Sequence, residues 1–256
     1  MTSTESAPGA LCAFAVMAKA PRIGEVKTRL APPLTAAQAA MLSRSFLKDI
    51  AGNFLAAAET APIHGYVAYS PAGSEDLFRA LLPPEIRLLP PRRAGLGYSL
   101  LHAAEDLLAA GYAAACLVNA DSPTLPTAAL IAAATALRAC GDRVVLGPAN
   151  DGGYYLIGMK RPHKRLFEEI DWSTERVFAQ TLDRAAEIGL EATILPPWYD
   201  VDDAAALGQL RRELLGEGAR GGAAAGGYRA PHTAAFLRRL AAEASDDRGR
   251  AAGAAR

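Results

Sequence analysis

The chain has 256 residues, of which 51% are apolar and 21% are charged, so it is long and apolar enough to bury a core. Its 27 basic and 27 acidic residues cancel, which removes the net field that would draw the whole protein to nucleic acid or to an acidic membrane surface. No apolar run reaches the roughly 18 residues that span a bilayer, and no basic residue precedes the first apolar stretch, as it would in a secretory signal. We therefore expect a cytoplasmic protein without nucleic-acid or membrane partners, in which any anion site is local.

The three cysteines, Cys12, Cys116 and Cys140, show no paired spacing. An odd number of scattered cysteines is typical of reduced, buried thiols and argues against disulfides or a zinc site. Reduced thiols agree with the expected cytoplasmic location.

Strand-like and helix-like segments alternate over about 200 residues. An apolar run at 11–17 is followed by a basic loop and then by a helical pattern to about Ala58, which begins after Thr35, where Gln38 completes a capping box. Further strands are predicted at 63–70, 86–90, 113–119, 143–148, 154–159 and 192–196. Further helices are predicted at 74–82, 97–110, 127–140, from Ser173 onward, and at 204–215. This alternation predicts a three-layer α/β fold with a mainly parallel sheet, in which 113–119 is the central strand.

The composition changes after residue 215. Residues 216–230 are rich in Gly and Ala, which is typical of a flexible linker, and 232–242 has the pattern of a short amphipathic helix. We therefore expect one domain over residues 10–215, a linker over 216–230, and a short helix with a disordered tail over 231–256.

The loop after the first strand is strongly basic. In an open parallel sheet, ligands bind beyond the carboxyl ends of the strands, and this loop leaves such an end. It sets four cations against the single acid Glu25, namely Lys19, Arg22, Lys27 and Arg29. Cations and backbone N–H groups in a bent loop are suited to bind phosphate oxygens, although an exposed, solvated basic loop is the alternative. Neither a Walker A motif nor Gly-x-Gly-x-x-Gly is present.

Two aspartates follow strands at the same predicted edge. Asp121 comes two residues after the central strand, and Asp202 follows the last strand. Mg²⁺ and Mn²⁺ take hard oxygen ligands, commonly one or two carboxylates together with substrate phosphates, so both residues are candidate metal ligands. The alternatives are that Asp121 organises the Ser-Pro turn after it and that the acidic cluster caps the next helix through Asp203.

The segment 148–155 lies between two apolar strands. Asn150 and Asp151 form its polar tip, and Gly152 and Gly153 allow a positive φ or a close approach of the backbone to a ligand. As a bare pattern it is most simply a hairpin turn, and a ligand site is the alternative.

Taken together, these segments resemble one family. The motifs are AKAPRIGEVKTRL (18–30), ADSPTLP (120–126), GPANDGGYYLIG (147–158), DWST (171–174) and DVDD (200–203). Over residues 12–215 the combination is similar to the bacterial transferases called DUF2064, or rSAM/selenodomain-associated transferase 1. The resemblance implies a Rossmann-like GT-A fold, α/β/α with a mainly parallel mixed sheet. More distantly, the arrangement is similar to sugar-nucleotide and cofactor nucleotidyltransferases.

The resemblance also implies a role for each motif. The nucleotide would be bound by Lys19, Arg22, Lys27 and Arg29 at its phosphates and by Gly95 and Gly97 at its base or ribose. The cofactor, Mg²⁺ or Mn²⁺, would be held by Asp121 and Asp202. The acceptor side would be formed by Asn150, Asp151, Gly152 and Gly153. One departure concerns the metal, since the Asp-x-Asp common after the central strand is here Asn119-Ala120-Asp121.

The function that the resemblance implies is metal-dependent transfer of a sugar from a nucleoside diphosphate sugar to a small-molecule acceptor. Asp121 and Asp151 would be the catalytic carboxylates. One alternative is transfer of a nucleoside monophosphate to a phosphorylated acceptor, with release of pyrophosphate. A second alternative, favoured by the missing first aspartate, is a nucleotide-binding module without catalysis.

Overall fold

The computed structural model of the chain describes residues 11–92, 95–216 and 226–254. Within these residues the strands are β1 (Cys12–Lys19), β2 (Ile63–Ser70), β3 (Arg87–Leu89), β4 (Ala114–Val118), β5 (Arg143–Pro148), β6 (Tyr154–Met159) and β7 (Glu191–Ile194). The helices are α1 (Ala36–Ala58), α2 (Glu75–Leu81), α3 (Leu96–Ala109), α4 (Thr127–Arg138), α5 (Val177–Glu187), α6 (Ala204–Leu215) and α7 (Pro231–Ala254). Strands and helices therefore alternate as the sequence predicts.

The strands form one sheet in the order β3-β2-β1-β4-β6-β5-β7. Neighbouring strands are parallel except where β6 runs antiparallel to β4 and to β5. β4 lies in the middle of the sheet and is buried along its whole length, as its nearly continuous apolar run predicts. The predicted mainly parallel, mixed sheet is confirmed.

Helices cover both faces of the sheet. Phe54 of α1 and Leu130 of α4 belong to the core on one face, and Leu107 of α3 and Ala185 of α5 belong to the core on the other. Successive side chains of a strand point to opposite faces, so a central strand that is apolar throughout contributes to both cores. The three-layer α/β/α architecture is confirmed.

The start of α1 follows from its first residues. The Thr35 hydroxyl accepts a hydrogen bond from Gln38 N at 3.2 Å, and Gln38 Oε1 accepts one from Thr35 N at 2.9 Å. These reciprocal bonds are the predicted capping box, and they satisfy two N–H groups that have no partner inside the helix.

A buried carboxylate joins α1 to the C-terminal helix. Asp49 is fully buried, and its two oxygens accept hydrogen bonds from His232 N at 2.9 Å and from Thr233 N at 2.7 Å. These are N–H groups of the first turn of α7, which would otherwise lack partners. Just before α7, Tyr228 N donates to the carbonyl oxygen of Thr124 at 3.0 Å. The C-terminal segment therefore also contacts the loop that follows β4.

The helix α5 begins at Val177 rather than near Ser173. The Thr174 hydroxyl donates to the carbonyl oxygen of Asp171 at 2.7 Å and accepts from Arg176 N at 3.3 Å. These bonds fold the residues before Val177 into a turn, so the helix begins four residues later than predicted.

The C-terminal region also differs from its prediction. The helix α7 continues to Ala254, past the predicted 232–242 segment and into the tail predicted to be disordered. After Pro231 the segment is rich in alanine and contains no proline, so nothing in it forces the helix to end early. Residues 217–225, most of the predicted linker, lie outside the described residues.

The cysteines are placed nearly as expected. Cys12 and Cys116 are buried in β1 and β4, whereas Cys140 is exposed. The expectation of a buried thiol is wrong for Cys140, because it follows the end of α4 at the surface.

Among the helices of the described ranges, none combines the length and apolar character that crossing a membrane requires.

Candidate functional site

A cleft of about 750 Å³ opens where β1 and β4 end side by side. The chain continues from β1 to β2 on one side and from β4 to β5 and β6 on the other, so the loops diverge at this point. Open α/β sheets bind ligands in crevices of this kind, and the volume lies in the range of small-molecule sites. Predicted site residues that line the cleft are Lys19, Lys27, Arg29, Asp121, Asp151, Gly153 and Asp202.

Lys27 joins the two candidate metal carboxylates. Its ammonium nitrogen Nζ lies 2.5 Å from Asp121 Oδ1 and 2.8 Å from Asp202 Oδ1, and it donates to the carbonyl oxygen of Val201 at 2.8 Å. The Lys27 side chain is only 7% exposed, whereas those of Asp121 and Asp202 are 34% and 45% exposed. The carboxylates therefore face the cleft, and the ammonium lies behind them.

Backbone contacts hold the two aspartates together. Val201 N donates to the carbonyl oxygen of Asp121 at 2.9 Å, which fixes the segment after β7 against the loop after β4. Asp203 acts as the N-cap of α6, since its Oδ1 accepts from Ala206 N at 2.8 Å. Because Asp203 supplies the cap, as predicted, Asp202 is left to face the cleft.

Negative charge accumulates around the Lys27 ammonium. Burial lowers the pKa of Lys27, but the charges of Asp121 and Asp202 outweigh this, so its pKa lies above the ordinary value and the group is a cation. Burial raises the pKa of the neighbouring Asp200 to about 6, and the charges of Asp151 and Asp202 contribute to that rise. The site therefore has an excess of carboxylates over cations and is suited to receive a further positive charge.

The residues present fit a divalent ion. Within the described ranges, no group of three or more Asp, Glu, His or Cys side chains is arranged to hold a metal ion. Mg²⁺ needs only one or two protein carboxylates when phosphates and waters complete its shell. Oδ1 of Asp121 and Oδ1 of Asp202 converge on one position, where the Lys27 ammonium now stands in for a cation. Asn119 lines the same cleft, and its buried Oδ1 has no hydrogen-bond partner.

The basic loop is divided between two environments. Lys19 and Arg29 line the cleft beside Lys27. Arg22 does not, because its guanidinium donates to Ser74 Oγ at 3.2 Å, at the start of α2. The structure therefore brings three of the four predicted phosphate ligands to the cleft and places Arg22 outside its lining.

The segment 149–153 is a hairpin turn that also lines the cleft. It connects the antiparallel strands β5 and β6, and Asp151 Oδ1 accepts from Gly153 N at 2.8 Å. Gly152 has φ +88, and an added Cβ would lie 2.2 Å from the carbonyl oxygen of Glu175. Asn150 N donates to the carbonyl oxygen of Trp198. Asp151 and Gly153 reach the cleft, whereas Gly152 and Asn150 fix the turn against neighbouring segments.

Gly95 and Gly97 have structural explanations. Gly95 precedes α3 with φ +100, a conformation that favours glycine. Gly97 lies in the first turn of α3 against the indole of Trp172, and an added Cβ would lie 2.8 Å from Trp172 Nε1. Neither glycine lines the cleft. Their proposed contacts with base or ribose remain predictions.

The sequence reasoning missed one wall of the cleft. It is formed by the turn before α5, through Trp172, Ser173, Thr174 and Glu175. The motif DWST (171–174) indicates a family resemblance but by itself gives its residues no role. The signal for this wall in the sequence is weak. Gly97 and Gly152 allow Trp172 and Glu175 to pack closely against them, but the sequence does not show that these residues meet in the fold.

A smaller pocket of about 260 Å³ adjoins the cleft. The two share Met17, Lys19 and Leu96, and the smaller one extends along the ends of β1, β2 and β3. Its remaining lining is mixed, with Tyr69, Leu89, His102 and Asp106 among others. A ligand that follows the basic loop could therefore occupy both spaces.

Comparisons with known proteins agree with this architecture. A crystal structure from Desulfovibrio desulfuricans G20, of a protein proposed to be a nucleotide-diphospho-sugar transferase, superposes with a TM-score of 0.77. It is 28% identical in sequence and covers 90% of this chain and 95% of its own. The search of curated proteins found no match.

Two further solved structures are similar at a lower level. The 4-diphosphocytidyl-2C-methyl-D-erythritol synthase of Anaerococcus prevotii DSM 20548 has a TM-score of 0.48 and 10% identity, covering 80% of this chain and 100% of its own. The inositol-1-phosphate CTP transferase of T. maritima has a TM-score of 0.46 and 15% identity, covering 85% of this chain and 100% of its own.

The family comparison agrees with the motifs. Residues 54–174 match the family described as "Uncharacterized protein conserved in bacteria (DUF2064)". The matched region includes the loop after β4, the turn between β5 and β6, and the turn before α5. The resemblance expected from the sequence is therefore confirmed: residues 54–174 carry the sequence pattern of the DUF2064 family.

Proposed function

We propose that this protein is a metal-dependent enzyme of the glycosyltransferase type, which transfers a sugar from a nucleoside diphosphate sugar to a small-molecule acceptor. The observation that carries the proposal is the convergence of Asp121 and Asp202 on one cation position beside Lys19 and Arg29. The likeness to the Desulfovibrio protein, itself proposed to be a nucleotide-diphospho-sugar transferase, supports the choice of donor.

The basic loop is the proposed diphosphate site. Lys19 and Arg29 line the cleft, and both carry N–H donors that pair with phosphate oxygens. Lys19 Nζ donates to the carbonyl oxygen of Glu25 at 3.0 Å, which leaves two of its three ammonium protons for a ligand. These cations would hold the donor and offset the charge of the departing nucleoside diphosphate.

Asp121 and Asp202 are the proposed ligands of Mg²⁺ or Mn²⁺. Bound there, the ion would supply Lewis-acid stabilisation of the charge that develops on the diphosphate. The two carboxylates would fix the diphosphate end of the donor in the cleft that the basic loop and the turn before α5 also line.

The turn between β5 and β6 and the turn before α5 form the proposed acceptor side. Asp151 is held in place by the N–H of Gly153, and Ser173 and Thr174 add hydroxyl groups on the same side. These groups can accept and donate hydrogen bonds to an acceptor hydroxyl and so orient it toward the donor. The adjoining pocket along β1, β2 and β3 is the proposed space for the base.

A product assay tests the proposal. The protein is incubated with Mg²⁺ or Mn²⁺, a panel of nucleoside diphosphate sugars or of nucleoside triphosphates, and a low-molecular-weight bacterial extract as the source of acceptors. Release of nucleoside diphosphate from a nucleotide sugar supports sugar transfer, and Asp121→Asn is expected to abolish it. Asp203→Asn is the matched control, because Asp203 only caps α6.

The same assay separates the alternatives. Release of pyrophosphate from a triphosphate, without turnover of any nucleotide sugar, would replace sugar transfer by nucleotidyl transfer. Nucleotide binding that survives chelation of divalent ions, together with no turnover of either panel, would favour a non-catalytic nucleotide-binding module.

A further inference from the structure

The Lys27 ammonium is bound as an ion would be. It has three protons, and three oxygens lie within hydrogen-bond distance: Asp121 Oδ1 at 2.5 Å, Asp202 Oδ1 at 2.8 Å and the carbonyl oxygen of Val201 at 2.8 Å. Phe46 covers it from one further side, with its ring centroid 5.6 Å from Nζ. All of the ammonium's donors are therefore used inside the protein, and none is directed to the cleft.

The backbone at Lys27 is also unusual. Lys27 has φ +50 and ψ +38, in the left-handed region, which residues with a side chain seldom adopt. A short 3₁₀ turn follows directly at Thr28–Leu30, and Leu30 is fully buried. The position of the ammonium is thus set by a bent, locally strained segment anchored by Leu30, rather than by a regular helix or strand.

The carboxylates are more accessible from the cleft than the ammonium is. The side chains of Asp121 and Asp202 are 34% and 45% exposed, against 7% for Lys27. A divalent ion that binds Oδ1 of either aspartate at about 2.1 Å would lie within about 5 Å of the ammonium. Two cations so close repel each other, so the ion and Lys27 compete for these oxygens.

We propose that Lys27 is a displaceable internal cation that occupies the metal position between the two aspartates and leaves it when a divalent ion enters. A nucleoside diphosphate in the cleft offers the ammonium a new anionic partner. The diphosphate therefore favours the exchange, and metal and nucleotide bind with positive coupling. The competition between Lys27 and the ion depends only on the side chains of Lys27, Asp121 and Asp202. The coupling to a diphosphate rests on the proposed function.

Titration of the protein with Mn²⁺, followed by electron paramagnetic resonance of the free ion, tests the competition without nucleotide. Lys27→Met is expected to lower the Kd for Mn²⁺ by about tenfold or more, because the carboxylates lose their internal partner. Lys19→Met is the matched control. It removes the same charge from the same cleft, but from a residue that donates to the backbone carbonyl of Glu25 rather than to the aspartates, so its effect should stay within about threefold.

Adding Asp121→Asn to Lys27→Met should abolish the gain, which shows that the tighter site is the expected one. Equal or weaker Mn²⁺ binding by Lys27→Met, compared with the wild-type protein, would overturn the proposal. If the methionine variant does not fold, Lys27→Gln gives the same comparison, since its shorter side chain is uncharged and still carries two N–H donors.

A second titration, in the presence of a nucleoside diphosphate, tests the coupling. The diphosphate is expected to tighten Mn²⁺ binding more in the wild-type protein than in Lys27→Met, where nothing has to be displaced. Equal tightening in both would refute the exchange of Lys27 onto the diphosphate. A gain of Mn²⁺ affinity in Lys27→Met, together with no turnover of any nucleotide sugar or triphosphate by the wild-type protein, would sink the proposed function and leave the competition standing.

Discussion

The Nζ atom of Lys27 lies 2.8 Å from Oδ1 of Asp202, although 175 positions separate the two residues in the chain. This contact joins the loop after the first strand of the chain to the segment after the last. Asp121, from the loop after the central strand, meets both at the same ammonium group. The candidate site therefore exists only when β1, β4 and β7 have taken their places in one sheet, and it depends on the fold as a whole.

The basic loop should divide into residues that bind phosphate and one that does not. Arg29→Ala is expected to weaken the binding of a nucleoside diphosphate about tenfold, because Arg29 lines the cleft and a charge-assisted hydrogen bond is lost. Isothermal titration calorimetry in the presence of Mg²⁺ measures the effect.

Arg22→Ala is the matched control for Arg29→Ala. Arg22 belongs to the same loop and carries the same charge but pairs with Ser74 outside the lining of the cleft. Its removal should change the Kd by less than about twofold. Equal losses in the two variants would mean that the loop acts through its total charge and not through the residues that face the cleft.

Gly97 should be required because Trp172 packs against it. Gly97→Ala places a methyl group 2.8 Å from the indole nitrogen, so the ring and the turn that carries it must move. We expect a loss of about 1–2 kcal/mol in the free energy of unfolding, with a shift in tryptophan emission, measured by denaturant titration. Weaker nucleotide binding should accompany the loss, since Trp172 forms part of the cleft wall.

Gly208→Ala provides the comparison for Gly97→Ala. Gly208 also lies in a helix, α6, but its nearest neighbour is the flexible end of Arg212 at an ordinary 3.6 Å. Alanine should stabilise the protein there by up to about 1 kcal/mol. The prediction fails if both glycines respond alike.

Asp49 should anchor α7. Asp49→Ala removes the acceptor of two N–H groups in the first turn of that helix and leaves them without partners in a buried place, so we expect a loss of about 2–3 kcal/mol in the free energy of unfolding. Asp203→Ala removes a similar cap from the exposed start of α6 and should cost about 1 kcal/mol. Chemical denaturation of the two variants gives both values. A cost for Asp49→Ala no larger than for Asp203→Ala would contradict the anchoring role.

Asp49 also predicts a pH dependence. Burial raises its pKa above the ordinary value of about 4, against the opposing effect of the hydrogen bonds from α7. The folded protein then binds this proton more tightly than the unfolded chain. The free energy of unfolding of the wild-type protein, minus that of Asp49→Asn, should therefore fall as the pH rises from below 4 through the raised pKa, and stay constant above it. A difference that rises over this window would mean that the hydrogen bonds outweigh burial.

Much of the fold could be predicted because the deciding signals are local. The strand β2 has the predicted bounds, 63–70, since prolines flank a run with strand composition. The start of α1 follows from Thr35 and Gln38 alone. The fully buried β4 follows from an apolar run that leaves no polar face.

The turn before α5 could not be predicted, because its shape depends on contacts across the fold. Ser173 has φ +66, a conformation that its sequence neighbours do not indicate. The turn packs against Gly152 through the backbone of Glu175 and against Gly97 through the indole of Trp172. These two glycines come from distant parts of the chain. For this reason, helix propensity alone predicts that α5 begins near Ser173, whereas it begins at Val177.

The candidate site was predictable in its location but not in its contacts. The loops after β1, β4 and β7 follow from the rule that ligands bind at the carboxyl ends of parallel strands. That Lys27 lies between Asp121 and Asp202 depends on a left-handed backbone at Lys27, and that Arg22 turns away depends on Ser74. Neither could be inferred from charge and spacing.

The most direct test of this account is the anomalous scattering of Mn²⁺ in crystals grown with a nucleoside diphosphate. We predict one strong peak within about 2.2 Å of a carboxylate oxygen of Asp121 and of Asp202. The Lys27 ammonium should have moved onto a phosphate oxygen, and Lys19 and Arg29 should contact the same diphosphate. A diphosphate bound elsewhere, or in the cleft with Lys27 still between the two aspartates and no peak beside them, would contradict it.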